Sequence, residues 1–335
     1  MSLHSRPMRE TDVDACVGVI EGNPAIARRY GPAIASLRLA WRQLIGHEAV
    51  QTAVFEEIES GRTRVWGVGV GVFVHDAFLH ALKTRPMFWF GPELARRVMR
   101  GESPILSNGE VRQANSTDGL NLLVWEGWSL PEFASRPDAN RLRVSAFLDG
   151  YRGFRIKEAI TSQVESVQRL QWNIDAGGML WDPIGGRYVD AVGRDLAAIC
   201  SEPHVVGTTP EVEASRLGSW IGPLFGYCPP RVGFSPCEQR LLTAALPGWR
   251  TDEELCRDLN TTVPAVKSTW RTIFTRAASR LPDLFEVTTQ VDALSGKRGK
   301  ERRRLLLAYL RDHPEELRPL SRTLLDESPR LARSR

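Results

Sequence analysis

The chain has 335 residues, 42% of them hydrophobic, with a formal net charge of +4 and a pI near 8.9. This length allows two or three domains with their own cores, and the charge is too small to indicate nucleic-acid binding by itself. The five cysteines include no CxxC pair, which argues against a disulfide framework or zinc finger and for a reducing cytoplasm; no leader or membrane-spanning apolar run is expected.

Residues 5–161 alternate between strand and helix patterns. Hydrophobic periodicity predicts a strand leading into a helix over 5–20, a helix over 24–45, strands over 53–58 and 63–74, a helix over 91–99, a strand over 120–125, a helix over 141–151 and a strand over 155–161. Gly67, Gly69 and Gly71 alternate with valines inside the strand at 63–74. They indicate closely packed or bulged strand backbone rather than a nucleotide-binding loop.

The N-terminal pattern RPMxExD, which begins at Arg6 and leads into a helix, resembles the opening of GNAT-type acyltransferases. A Gly153-Phe154 pair before the last strand is also similar to that family. The resemblance covers 5–161 and implies a loop Q/R-x-x-G-x-G/A, after the fourth strand, whose amides hold the pyrophosphate of coenzyme A. The candidate region 86–96 has one glycine, Gly91, and then Pro92, which lacks an amide proton. The absence of a recognisable cradle favours a GNAT-like shell for ligand sensing or dimerisation over a working acyltransferase.

Polar and aromatic clusters in the same region have two interpretations each. His75, Asp76 and His80 form a weak ligand set for a metal, and a structural role is favoured. No metal site and no catalytic residue are predicted. An aromatic group lines either an ordinary core, the favoured interpretation, or an apolar ligand pocket; its members are Phe88, Trp89, Phe90, Trp125, Trp128 and Phe133.

The middle of the chain, 164–233, is predicted to be a connecting α/β segment. A helix over 162–170 leads into it, strands at 179–181 and 187–189 form a hairpin, a helix follows over 193–201, and residues 202–232 form a connection with one helix at 210–217. Whether it is a separate domain or an extension of the first domain stays open at this point.

Residues 234–280 predict three short helices. Ser235, Pro236 and Glu238 form an S-P-x-E start that combines a serine cap, a proline in the first turn and a capping box. Thr251 and Glu254 repeat the capping box. Pro247 and Gly248 are expected to end the first of these helices, and Asn260 the second, because asparagine tolerates the left-handed backbone of a tight turn.

The third helix, capped by Thr262, places an apolar stripe of Val266, Trp270, Ile273 and Ala277 on one side. Two helices joined by a short turn, the second basic on its outer face, predict a helix-turn-helix.

These residues resemble the GerE/LuxR-type DNA-binding domain over about 50 residues. The matching positions are Phe234, Ser235, Pro236, Glu238, Thr251, Glu254, Leu255, Leu259, Thr262, Val266, Lys267 and Ile273. Cys237, Ala265 and Thr269 depart from the family pattern, which bears on phosphate contacts. The resemblance implies a groove-facing surface, and the predicted DNA-binding residues are Thr262, Lys267, Ser268, Thr269, Arg271 and Thr272.

The chain becomes basic after residue 290, with GKRGKERRR at 296–304. This run is either an arm that contacts the DNA backbone or a solvated tail, and the sequence does not separate the two.

We therefore expect an α+β protein with four parts: a GNAT-like sensor or dimerisation domain (1–163), a connecting α/β segment (164–233), an all-α LuxR-like helix-turn-helix domain (234–290) and a basic tail (291–335). The leading interpretation is a cytoplasmic transcriptional regulator that binds double-stranded DNA as a homodimer. Its N-terminal domain would bind a small-molecule ligand, and no cofactor is predicted. The alternatives are a GNAT-type acyltransferase dependent on acyl-coenzyme A, with a regulatory helical domain, and a non-enzymatic interaction adaptor.

Overall fold

The computed structural model describes residues 2–161, 166–215, 219–246, 250–285 and 298–319. The chain divides into two compact units, Met1–Gly226 (unit 1) and Tyr227–Arg335 (unit 2).

Unit 1 is a mixed α/β structure built on one eight-stranded sheet of order β1-β2-β3-β4-β5-β8-β6-β7. The strands are β1 (Ser2–Arg6), β2 (Val50–Glu59), β3 (Arg62–Val74), β4 (Leu120–Ser129), β5 (Ile156–Thr161), β6 (Met179–Asp182), β7 (Arg187–Val189) and β8 (Val206–Thr208). Paired strands are antiparallel except β4 and β5, which are parallel. A parallel pair needs a crossover connection, and residues 130–155 supply it through helices.

The helices of unit 1 are α1 (Val13–Glu21), α2 (Pro24–Tyr30), α3 (Ala33–Leu44), α4 (Asp76–Thr84), α5 (Gly91–Met99), α6 (Asn108–Ser116), α7 (Pro131–Ala134), α8 (Pro137–Tyr151), α9 (Val167–Asp175), α10 (Leu196–Cys200) and α11 (Pro210–Ala214). Short 3-10 turns occupy Glu10–Asp12 and Gly222–Phe225. The helix predicted over 24–45 is two helices. Gly31 adopts φ +47° and the following Pro32 has no amide proton, so the helical hydrogen-bond ladder is interrupted there.

Both faces of the sheet are covered. Val54 belongs to the main core with α1 and α3, whereas the next residue, Phe55, packs with Trp66 and Phe133 in a second cluster that α8 joins. Successive strand residues point to opposite faces, so α8 lies on the face opposite α1 and α3.

The glycines of β3 fit the prediction of close strand packing. A side chain at Gly67 would meet the Trp128 carbonyl at 3.1 Å, and one at Gly71 would overlap the Tyr151 hydroxyl. A bulge also lies between β3 and β4, because Val70 pairs with Glu126 while the next residue pairs with Val124. The bulge locally re-aims the side chains of β4.

The middle segment, predicted as a connecting α/β segment, contributes three strands to the sheet of unit 1. The predicted hairpin is confirmed as β6 and β7, but β8 lies between β5 and β6, so all three strands extend the sheet of unit 1. Strand β8 has only three residues, which is why its pattern is inconspicuous in the sequence. Residues 162–165 of the helix predicted over 162–170 lie outside the described residues, and α9 begins at Val167.

Unit 2 contains α12 (Pro236–Ala245), α13 (Asp252–Asp258), α14 (Val263–Arg280), α15 (Arg298–Asp312) and a 3-10 turn, Pro314–Leu317. Leu306, Leu307 and Leu310 of α15 are buried in one core with Trp270 and Leu242. This part of the predicted basic tail is therefore a packed helix, while 286–297 and 320–335 lie outside the described residues. Pro247 and Gly248, predicted to end the first helix, also lie outside them.

In the part of the chain that the structure describes, every helix is too short or too polar to cross a membrane.

Candidate functional site

The helix-turn-helix candidate is formed by α13, a four-residue turn (259–262) and α14. Its turn centres on Asn260, whose φ of +47° confirms the predicted left-handed backbone. The Thr261 amide donates back to the Cys256 carbonyl at 3.0 Å, and the Thr262 hydroxyl then caps α14 by accepting from the Ala265 amide at 3.4 Å. These local bonds set the direction in which α14 leaves the turn.

The predicted apolar stripe of α14 is confirmed. Val266, Trp270, Ile273 and Ala277 are each at most 3% exposed. The six predicted DNA-binding residues lie away from this stripe: Thr262, Lys267, Ser268, Arg271 and Thr272 are exposed, and Thr269 is half-buried. The helix thus presents one polar face while its other face is anchored in the core.

The six residues differ in what they can donate. Thr269 and Thr272 give their hydroxyl protons to carbonyls one turn earlier on the helix, at 3.0 and 3.3 Å. Lys267 and Arg271, one turn apart, and the hydroxyl of Ser268 have no such intrahelical use in the described structure. Among the described residues, these three exposed side chains are therefore donors that make no hydrogen bond within the helix.

Two other basic residues of unit 2 have structural partners. Arg276 of α14 lies 3.2 Å from the Glu238 carboxylate, the buried member of the capping box at the start of α12. Arg303 of α15 pairs with Asp252 at 2.7 Å, and its guanidinium lies 4.3 Å from the centre of the Trp270 ring. Both arginines therefore hold helices together.

A second candidate site, missed by the sequence reasoning, is the carboxyl of Glu126 in unit 1. Glu126 is 3% exposed and lies near the end of β4, beyond Val124, the last β4 residue paired with β5. The Tyr30 hydroxyl donates to its Oε1 and the Trp128 indole N–H donates to its Oε2. The carboxyl ends of parallel strands are frequent ligand sites, so the position of Glu126 fits a functional role as well as a structural one.

Burial controls the ionisation of this carboxyl. It raises the pKa of Glu126 to about 7, although hydrogen bonds from Tyr30 and Trp128 and the positive charge of Arg169 oppose the shift. Burial and the neighbouring Glu126 charge together raise the pKa of the Tyr30 hydroxyl well above its usual range. A carboxyl with this pKa can accept or release a proton near neutral pH.

Close packing fixes the surroundings of Glu126. A side-chain carbon at Gly91 would lie 2.5 Å from Glu126 Oε1 and 2.7 Å from the Tyr30 hydroxyl, so only glycine fits there. The indole N–H of Trp89 is buried nearby; it makes no hydrogen bond of ordinary geometry within the described residues, but its proximity to the Glu126 carboxyl helps to lower the pKa of that group. A sequence signal for the site did exist: Glu126 is the one charged residue in the run LNLLVWEGW, and the predicted strand stopped one residue before it.

The region predicted as a coenzyme A loop, 86–96, does not follow the fourth strand of the sheet, where the GNAT resemblance would require it. Region 86–96 precedes β4 and leads into α5, whereas the crossover from β4 to β5 enters α8 at Pro137. The start of α8 already carries a carboxylate, because Asp138 accepts from the Ala139 amide at 2.9 Å and pairs with Arg136 at 2.7 Å. These bonds, the one to Arg136 first, lower the pKa of Asp138 to about 2. A permanently charged carboxylate at this helix start disfavours a bound pyrophosphate.

The histidine group has structural contacts. Asp76 pairs with Lys157 at 2.7 Å, and the hydroxyl of Thr84 lies 3.5 Å from the His80 ring. His75 precedes α4, with its ring 3.8 Å from the Glu110 carboxylate. Within the described ranges, no three histidine, cysteine, aspartate or glutamate side chains converge as a metal ion would require.

Comparison with models of known protein families and with curated protein sequences finds no match to this chain. Its function is therefore argued from geometry and charge.

Proposed function

We propose that the protein is a DNA-binding transcriptional regulator whose unit 2 forms a LuxR-like, all-α helix-turn-helix domain. The observation that carries the proposal is the exposed face of α14, where Lys267, Ser268 and Arg271 are exposed donors beside a fully anchored apolar stripe. A helix held in this way and preceded by a tight turn has the form that enters the major groove.

The charges of α14 support the same proposal. No acidic residue occurs between Val263 and Arg280, so approach of this face to phosphates meets no repulsion from the helix itself. Lys267 and Arg271 would contact phosphate or guanine edges, and Ser268 a base edge or phosphate. Thr262, Thr269 and Thr272 flank these contacts.

With only two cations, Lys267 and Arg271, among the six predicted DNA-binding residues, one copy would bind DNA weakly. A homodimer on two half-sites doubles the contacts and is the usual arrangement for this motif. Unit 1 would then serve as the ligand-sensing or dimerisation part of a cytoplasmic regulator. The order of its first five strands and their single parallel pair support the resemblance to a GNAT-like shell.

The test is DNA binding by the full-length chain to genomic fragments, measured by fluorescence anisotropy over a range of salt concentrations. Lys267→Ala with Arg271→Ala should reduce affinity about tenfold or more. It should lower the salt slope by about 2 for each bound copy, hence by about 4 for a dimer, because each phosphate that loses its protein contact keeps about one counterion. The matched control, Arg62→Ala with Arg187→Ala, removes two exposed charges from unit 1 and should leave both quantities unchanged. Equal effects of the two double variants, or no effect of the first, would refute the proposal.

A second candidate function is acyl transfer dependent on acyl-coenzyme A. One observation favours it, a carboxyl with a pKa of about 7 at Glu126 near the end of the parallel strand pair. Asp138 at the start of α8 argues against it for the reason given above. Calorimetric titration of the full-length chain with acetyl-coenzyme A decides: saturable binding that Asp138→Asn strengthens would support the enzyme, and absence of binding would exclude it.

A further inference from the structure

Two arginines of unit 1 lie near each other, and neither forms an ion pair within 4 Å of a carboxylate among the described residues. Arg169 of α9 stacks on the Trp128 ring, 3.8 Å from its centre, and donates from Nη2 to the Gly127 carbonyl at 2.7 Å. Its Nη1 is buried and has no hydrogen-bond partner. Because a buried guanidinium N–H without an acceptor costs free energy, this atom needs an acceptor that the described protein residues do not provide.

Among the described residues, the second arginine, Arg143 of α8, makes long contacts with neutral groups. Its Nη1 lies 3.5 Å from the Ser129 hydroxyl and 3.4 Å from the Asn140 side-chain oxygen. Burial lowers the pKa of Arg143, and burial together with the positive charge of Arg143 lowers the pKa of Arg169 to about 10. Two like charges in a poorly solvated place are unfavourable until an anion lies between them.

Aromatic side chains continue the same two helices. Phe147 follows Arg143 by one turn on α8, and Trp172 follows Arg169 by three residues on α9, so each lies on the same side of its helix as the arginine. Trp220 bridges them, with ring centres 6.4 Å from Phe147 and 5.5 Å from Trp172. The Trp172 side is open, since this residue is 45% exposed. Three aromatic rings, tilted against one another, therefore form an apolar surface beside the two arginines on these helices.

We infer that Arg143, Arg169 and Ser129 form a binding site, the two-arginine site, for a monocarboxylate that carries an aromatic or other flat apolar group. The planar guanidinium groups match a carboxylate, and the rings of Phe147, Trp172 and Trp220 suit its apolar part.

A single negative charge fits better than two. Glu126 is close enough to Arg169 for their charges to interact, so a dianion would add repulsion from that carboxylate. The site deepens the ligand-sensing role proposed for unit 1, but it stands independently of DNA binding by unit 2.

The test is calorimetric titration of the full-length chain with phenylacetate and indole-3-acetate. Phenyl phosphate and 2-phenylethanol serve as the dianionic and neutral comparisons. We expect saturable binding of at least one carboxylate with a Kd below about 1 mM, and binding of the alcohol and of the phosphate weaker by about tenfold. Arg143→Gln and Arg169→Gln should each weaken carboxylate binding about tenfold or more. Arg141→Gln, at an exposed arginine on the same helix, should leave binding unchanged.

Trp172→Ala keeps the proposal testable if a buried arginine variant does not fold, because Trp172 is partly exposed; it should weaken both aromatic carboxylates. Absence of saturable binding by both carboxylates, unchanged affinity in Arg143→Gln, or tighter binding of phenyl phosphate would overturn the inference. DNA affinity measured on the same preparations distinguishes this failure from failure of the regulator proposal.

Discussion

Replacing Glu126 by glutamine should change the pH dependence of folding stability in a direction set by burial. The pKa of this carboxyl is about 7 in the folded protein and 4.5 in its ordinary state. Between these values the folded state holds a proton that the unfolded chain has released, so stability falls as pH rises. The favourable contribution is complete below about pH 4.5 and is lost by about pH 7.5. Its size is about 3 kcal/mol, from 1.36 kcal/mol for each pH unit.

Glutamine carries no titrating group, so the variant lacks this contribution to the pH dependence. Near pH 5 the parent should be more stable than the variant by about 1 kcal/mol. The amide N–H₂ replaces one carboxyl oxygen and cannot accept a hydrogen bond, so one of the two donors, Tyr30 or Trp128, loses its acceptor. At pH 8 the variant should be more stable than the parent by about 2 kcal/mol. Removing a buried charge thus stabilises the protein at alkaline pH and not at acid pH.

Differential scanning calorimetry from pH 5 to 8 at constant ionic strength measures this difference. The change of about 3 kcal/mol corresponds to roughly 6 to 12 °C in the unfolding temperature of a unit of this size. Glu59→Gln makes the same chemical change at an exposed residue of β2 and should keep the parent's pH dependence. If the difference between the parent and Glu126→Gln is equal at pH 5 and pH 8, burial does not control this carboxyl and the reasoning fails.

Two further predictions concern unit 2. Asn260→Gly should leave the free energy of unfolding within about 0.5 kcal/mol of the parent, whereas Asn260→Val should lower it by about 1 to 2 kcal/mol, since a β-branched residue resists φ +47°. Urea denaturation measures both variants. Equal stabilities of the two would contradict the left-handed backbone at this position. Arg303→Gln should lower stability by about 1 to 2 kcal/mol through loss of its carboxylate partner and its contact with Trp270. Arg304→Gln, at an exposed arginine paired within the same helix, is the control and should leave stability unchanged. If Arg303→Gln and Arg304→Gln have the same effect in urea denaturation, Arg303 does not hold α15.

Local hydrogen bonds explain which elements the sequence predicts well. The capping boxes of Ser235 with Glu238 and of Thr251 with Glu254 each span three residues, so their residue types locate the helix starts directly. The same signal, Ser107 with Glu110, starts α6, a helix absent from the prediction. Helix α6 has few apolar residues, so hydrophobic periodicity alone does not reveal it.

Non-local contacts explain what the sequence does not predict. Tyr30 and Glu126 are separated by 96 residues, and they meet only because α2 and β4 belong to one packed unit. Strand β8 joins β5 to β6 through backbone hydrogen bonds, which leave no pattern of side-chain types in the sequence. The side chains of such contacts leave no fixed spacing along the chain, so pattern analysis cannot connect them.

The distribution of arginines in unit 2 bears on how a regulator of this kind would work. Among the described residues, Arg276 and Arg303 pair with carboxylates of other helices, whereas Lys267 and Arg271 are the cations among the six predicted DNA-binding residues. Two phosphate contacts give a salt slope of only about 2 for one copy and about 4 for a dimer. Stable occupancy of DNA would then depend on dimerisation far more than on the single helix. A ligand bound in unit 1 could therefore control DNA binding by favouring or opposing the dimer, without touching the reading helix.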